Sequence, residues 1–219
     1  MVAPVVVDPG AAGLVRLGLV AVDGIVTAGA DPVALDAELA GAVAALRGEF
    51  EGRAAGEIPR LAPARELYRA IGLDPTKRRP SPEALTRRLL RGDPFPRVHP
   101  AVDLGNLWAI LHGLPVGLYD RAALAPPVTL RLGAPGESYA GIRKDEVHLE
   151  GRLLLADTRG PFGNPSADSL RTSVTEASRD LLYVLFAPAS FDARESTTWQ
   201  EWLRAAAERL LGGTARIVQ

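Results

Sequence analysis

The stretch Ile71–Asp120, IGLDPTKRRPSPEALTRRLLRGDPFPRVHPAVDLGNLWAILHGLPVGLYD, combines turn signals, a helix start, a cationic face and a polar pair inside an apolar run. Asp74-Pro75 and Arg79-Pro80 mark turns, because a residue before proline is pushed out of the α region. Ser81, Pro82 and Glu83 then spell a helix start: a hydroxyl cap, a proline whose missing N–H is not needed in the first turn, and an acid at the positive end of the macrodipole. The predicted helix runs to about Arg91 and stops at Gly92. At about 100° per residue, Leu85 and Leu89 share one side, while Arg87, Arg88 and Arg91 fall within an arc of about 100° on the other. With Lys77, Arg78 and Arg79 just before it, six cations occupy residues 77–91. A run of this kind is as readily a solvated helix face as a binding surface.

Val102–Leu111 is apolar apart from Asp103 and Asn106, which lie three residues apart and so share one helical face. Such a pair is more often a satisfied structural network at a helix start than direct chemistry. Gly113 and Pro115 end that helix, and VGLYD reads as a short strand or turn.

On the N-terminal side, Val2–Val7 and Leu14–Val20 read as strands separated by the breakers Asp8, Pro9 and Gly10. Asp31 before Pro32 predicts a capped helix over Pro32–Phe50, followed by a loop over Glu51–Pro59. A second helix is predicted from Ala62 to Ile71. On the C-terminal side, PPVTLRLG, EVHLEG and GRLLLADTRG read as strands, Ser173–Arg179 as a helical turn, LLYVLFAP as a buried strand and Ser196–Leu211 as a last helix. In that helix Trp199, Trp202, Leu203, Ala206 and Leu210 recur at core spacing rather than as a base-stacking platform. Strands and helices alternate irregularly, with no internal repeat and no low-complexity linker. The pattern predicts an α+β fold, a single compact domain over residues 1–219 with mixed β-sheets and packed helices.

Apolar residues make up 47% and charged residues 23% of the 219 residues, the balance of an ordinary soluble domain. With 25 Lys+Arg against 26 Asp+Glu the net charge is -1, so any affinity for nucleic acid must come from a local patch. The absence of cysteine excludes disulfides, thiolate metal sites and a cysteine nucleophile, and three widely spaced histidines argue against a histidine metal site. No secretory signal and no run of about 18 apolar residues is present, so the expected location is cytoplasmic, away from membranes. Phosphate-cradling loops, a G-x-S-x-G elbow and an H-E-x-x-H helix are all missing. Nothing in the residues fixes an oligomeric state.

Five segments in order, D-P-T-K-R-R-P-S-P-E-A-L-T-R-R (Asp74–Arg88), V-D-L-G-N (Val102–Asn106), L-P-V-G-L-Y-D (Leu114–Asp120), R-L-G-A-P-G-E (Arg131–Glu137) and L-L-A-D-T-R-G (Leu154–Gly160), resemble the B3/B4 domain. That domain is found in the β subunit of bacterial phenylalanyl-tRNA synthetase and as free-standing proteins. The resemblance implies an editing site for tRNA charged with tyrosine in place of phenylalanine. It places Asn106 at the pocket asparagine, Asp103 and Asp120 at acids framing it, and Gly117, Arg131 and Glu137 on the substrate side. Two positions depart from the pattern: the pocket histidine falls at Gly117, and the pocket glutamate at Val184 or close by. An aminoacyl ester is already activated, so Asn106, supported by Asp103 or Asp120, would act by orienting water or the amino acid.

The resemblance also gives the cationic run a partner. Lys77, Arg79, Arg87, Arg88 and Arg91 would contact tRNA phosphates, unless the motif arginines hold the fold through carboxylates such as Glu83. The implied function is a trans-acting aminoacyl-tRNA editing hydrolase or tRNA-binding module, free of metal and cofactor, with tRNA or aminoacyl-tRNA and not DNA as its partner. The alternative is a non-catalytic protein holding a free amino acid or similar small molecule in the same pocket.

Overall fold

The computed structural model describes residues 4–142 and 146–218. The chain runs β1 (Val5–Val7), β2 (Val15–Asp23), α1 (Pro32–Phe50), α2 (Ala62–Ala70), α3 (Ser81–Leu90), α4 (Pro100–His112), β3 (Val116–Asp120), β4 (Val128–Leu132), β5 (Ser138–Ala140), β6 (Glu146–His148), β7 (Leu153–Asp157), β8 (Gly160–Asn164), β9 (Ala167–Asp168), β10 (Leu181–Pro188), α5 (Ala193–Leu211) and β11 (Thr214–Val218). Val2 and Ala3, the first residues of the strand read at the N-terminus, lie outside the described residues.

The organising strand is β10, LLYVLFAP, in which all eight residues are buried. Successive side chains of a strand point to opposite faces, so β10 feeds two cores. Leu181, Tyr183, Leu185 and Ala187 enter a core with α1, α3, α4 and α5. Leu182, Val184 and Phe186 enter a second core with Tyr68, Leu130, Leu155 and Phe162. Each large apolar side chain buried this way contributes about 1.5–3 kcal/mol. The architecture is therefore layered. Helices α1, α3, α4 and α5 cover one face of a four-stranded antiparallel sheet, ordered β11-β2-β10-β3, and a five-stranded sheet, ordered β1-β4-β7-β8-β9, covers the other together with α2. Only the β1–β4 pair among the named strands is parallel, so the fold is α+β.

Local signals explain most element starts. Asp31 caps α1 by accepting from Ala34 N at 2.8 Å, and Asp192 caps α5 by accepting from Arg194 N and Glu195 N, which begins that helix three residues before the predicted Ser196. His99 starts α4 at Pro100, its Nδ1 accepting from Ala101 N at 3.2 Å, ahead of the predicted Val102.

The structure corrects two expectations and adds two strands. Ser81 is the first residue of α3 rather than its cap: Pro80 O already accepts from Ala84 N, and no side chain caps this end. Residues 173–179 form an irregular turn held by Thr175 N donating to Ser178 Oγ at 3.0 Å, not a helical turn. Strand β8, Gly160–Asn164, was not anticipated; it includes Pro161 and pairs with β7 across a register shift. Strand β11 was not anticipated either; it pairs with β2 from Thr214↔Asp23 to Val218↔Leu19. Among the described residues no helix is long and apolar enough to cross a membrane.

Candidate functional site

Two places compete for function. The first is the neighbourhood that the sequence assigned to a pocket. Asp103, on α4, is buried and committed: its Oδ1 accepts from Val98 N at 2.9 Å and its Oδ2 from Arg97 Nε at 2.7 Å. It fixes the approach to α4, and its hydrogen bond in turn raises the Arg97 guanidinium above its ordinary value. Asp120, ending β3, accepts from Ala122 N at 2.9 Å and from Ser178 Oγ at 2.6 Å, tying the strand end to the turn before β10. Arg131 and Glu137 form a bidentate pair at 2.6 Å, and Glu137 also accepts from Ala134 N at 2.6 Å. The Arg131 hydrogen bonds hold the Glu137 carboxyl below its ordinary value. The pair braces the turn after β4. Asn106 differs from these: it is half-buried on α4, and its amide has no hydrogen-bond partner among the described residues.

Gly117 and Val184 are register partners on β3 and β10. Their positions face the inter-sheet core, as Tyr119 does two residues on, while Val116 and Leu118 of β3 face the helix core. Helix α4, with Asn106, lies on the helix side. The positions expected to form one pocket are thus divided between opposite sides of a sheet. The space beside Gly117 is also taken: a Cβ at Gly117 or at Gly163 on β8 would collide with the Tyr119 hydroxyl. Tyr119 is fully buried, stacks edge-on against Phe162 at 4.9 Å and donates to Asp168 Oδ1 at 2.7 Å. Burial pushes its phenol well above the ordinary range. Asn164 completes this polar seam, accepting from Ser166 N and Ala167 N and donating to the Tyr139 hydroxyl at 3.1 Å. At Gly117, the position read as substrate-contacting, and at Gly163 the absence of a side chain makes room for the Tyr119 hydroxyl.

The second place is a cleft of about 1070 Å³ between the end of α1, the turn after it, and α3. Six arginines line it, Arg47, Arg53, Arg65, Arg79, Arg87 and Arg91, against two glutamates, Glu51 and Glu83, an excess of four positive charges on a chain of net charge -1. Some of this charge is structural. Arg65 grips the buried Glu83 with two bonds of 2.8 Å, and Arg79 approaches the same carboxylate at 3.4 Å. These contacts, the Arg65 hydrogen bonds first, hold the Glu83 carboxyl below its ordinary value. Arg47 donates to the carbonyls of Leu89 and Asp93, capping the C-terminal end of α3, and Arg91 pairs with Asp93 at 2.9 Å. Arg53 and Arg87, both exposed, have no partner among the described residues.

Of the predicted phosphate contacts, the cleft gathers Arg79, Arg87 and Arg91. Lys77 lies outside its lining, and so does Arg88, which donates to Pro94 O at 3.2 Å. Sequence reasoning missed Arg47, Arg53 and Arg65, since nothing in linear spacing places the segment after α1 beside α3. Among the described residues no group of acids and histidines is arranged to hold a metal ion.

A family model described as the B3/4 domain matches residues 63–200. No curated protein matches the chain. Among solved structures, the chain is similar to the crystal structure of an N-terminal fragment of the phenylalanyl-tRNA synthetase beta-subunit from Pyrococcus horikoshii, with 16% identity and a TM-score of 0.49. That match covers 97% of this chain and 50% of the other, so the chain spans about half the length of that fragment.

Proposed function

This chain belongs to the B3/4 domain family, which matches it over residues 63–200, and from that premise we propose that it is a tRNA-directed module meeting RNA phosphates through the arginine-lined cleft. Residues 1–219 act as one domain in this reading, because β10 is shared by both cores. The single observation that carries the reading is the excess of four positive charges in one concavity of a chain whose net charge is -1. Phosphate contacts supply most of the sequence-independent affinity of such proteins, and each contact releases condensed counterions. Arg79, Arg87 and Arg91 are the contacts shared by the sequence motif and the cleft.

A salt titration of tRNA binding tests this. Affinity should fall linearly on a log–log plot with a slope set by the number of phosphate contacts. Binding that ignores salt, or that does not occur, removes the proposal.

Hydrolysis of mischarged tRNA is the finer reading, and one observation favours it: Asn106 is the only one of the three pocket candidates whose side chain is left without a hydrogen bond among the described residues. Asp103 would then act only by holding the start of its helix, and Asp120 only by tying down the end of β3. Deacylation of a panel of mischarged tRNAs by the wild type and by Asn106→Ala checks this, with loss of turnover expected in the variant. Equal turnover in both would discard the role of Asn106. The rival reading, a free amino acid or similar small molecule held in the same pocket, loses the space beside Gly117, which the Tyr119 hydroxyl takes.

A further inference from the structure

We infer that the chain carries a second anion site, in which Arg78 and Arg152 hold a phosphate group between them beside Ser166, at the surface end of the tyrosine seam. Neither arginine lines the cleft described above, and the inference does not depend on the tRNA-directed reading.

The fold brings the two arginines together from distant parts of the sequence. Arg78 belongs to the turn between α2 and α3, and its guanidinium reaches across to donate to Ser166 Oγ at 3.4 Å. Its neighbour Arg79 turns the other way, into the cleft and toward Glu83. Arg152 stands just before β7, its N–H donating to Leu149 O and its carbonyl accepting from Gly133 N, both at 2.9 Å. Antiparallel pairing of β7 with β8 sets that end of β7 beside the Asn164–Ala167 turn, which contains Ser166. Side chains alternate along a strand, so Arg152 shares the face of Leu154 and Ala156, which pack with Tyr139. The Tyr139 hydroxyl donates to Ala167 O in the same turn, and the Tyr68 hydroxyl to Pro165 O.

What marks the place as a site is an unfinished network. Arg152 Nη1 is buried without a hydrogen-bond partner, and neither guanidinium pairs with a carboxylate among the described residues. A buried charged donor left unsatisfied is costly, and folding seldom retains one without a use. Burial first, and then the charge of Arg78, hold the Arg152 guanidinium below its ordinary value, so two like charges share one neighbourhood. An anion between them satisfies the free donor and cancels the repulsion.

The donor set selects a phosphate. A carboxylate offers two oxygens, which the fork of one guanidinium already fills, whereas a phosphate presents oxygens enough for two forks. Ser166 Oγ accepts from Arg78 and donates to Asn164 Oδ1 at 2.9 Å, so it aims Arg78 and spends no proton on the ligand. Arg78 is exposed and Arg152 only half-buried, which leaves the site open to solvent.

The test uses the full chain with isotope-labelled arginine, titrated with inorganic phosphate, adenosine monophosphate and acetate, and read by the arginine Nε–H resonances. The Arg152 resonance is assigned by its loss in Arg152→Lys. Phosphate or the nucleotide should move it along a saturating curve, and acetate at the same concentration should not. Arg78→Ala should raise the half-saturating concentration about tenfold or more, the loss expected for a hydrogen bond between charged groups. Arg194→Ala, at an exposed position on α5, should change it by less than about twofold. Thermal melts verify that the variants fold. Tighter binding by the nucleotide assigns the site to a phosphate carried on a nucleoside, and otherwise to the free ion. An Arg152 resonance that stays still, even while those of the cleft arginines move, would overturn the inference. Indifference to Arg78→Ala, or an equal response to acetate, would overturn it as well. None of these outcomes bears on the salt dependence of tRNA binding, so the two readings fail separately.

Discussion

The seam between the two sheets and the cleft beside α3 are opposite solutions to the handling of polar groups. In the seam, the Tyr119 hydroxyl meets Asp168, Asn164 is bonded through both ends of its amide, and two glycines give way to the tyrosine ring. In the cleft, two guanidiniums among six stand without partners among the described residues. A buried polar group left unpaired costs about 1–3 kcal/mol, so folding completes such networks wherever water is excluded. Surface cations escape that pressure, and a concentration of them is retained at some cost in mutual repulsion. Completeness thus marks the seam as architecture, and incompleteness marks the cleft as a place for a ligand.

Three substitutions would break or sharpen this contrast. The largest effect is expected from Tyr119→Ala, which empties the seam and removes the hydroxyl that donates to Asp168. Chemical denaturation should show a loss of about 3–5 kcal/mol, the range for truncating a buried aromatic. A near-neutral result would mean that the tyrosine is a removable plug over a real pocket.

Next comes Glu83→Gln, at the rim of the cleft but on its structural side. Glu83 is 3% exposed and Arg65 is partly open to solvent, so breaking the pair should cost less than a fully buried one, about 2 kcal/mol at neutral pH. The Glu83 carboxyl is depressed in the folded protein. Its contribution is therefore present above the ordinary value of 4.5 and is lost as pH falls through the lower folded value. The gap between wild type and variant should narrow in that acid window, and a gap that stayed constant would show that the pair is not the source.

The smallest effect on stability belongs to Arg53→Ala/Arg87→Ala, expected within about 0.5 kcal/mol of wild type because neither side chain has a partner to lose. A large loss there would move these residues from the ligand's side of the contrast to the fold's.

Much of the scaffold was readable from the residues. LLYVLFAP has the continuous apolar character of a strand buried on both faces, and Asp31-Pro32 carries its own cap and first turn. The arginine face of α3 followed from its periodicity, and Asp103 holds the start of α4, the structural duty that a carboxylate in an apolar helix most often has. What escaped was long-range. Tyr119 fills space above Gly163 because β3 and β8 face each other across two sheets, and no spacing rule carries that information. Arg53 sits in a glycine-flanked loop with no periodicity, so only the packing of α1 on α3 brings it to Arg87's cleft. Strand β8 went unread because its pairing with β7 across a register shift is a long-range contact.

The two-sided burial of β10 has a consequence for how the molecule comes apart. Because one strand belongs to both cores, any opening that pulls β10 out of its sheet disrupts the helix layer and the second-sheet core together. The walls of the arginine cleft and the tyrosine seam therefore melt as one cooperative unit, and an injury to the seam lowers the population of molecules in which the distant cleft exists at all.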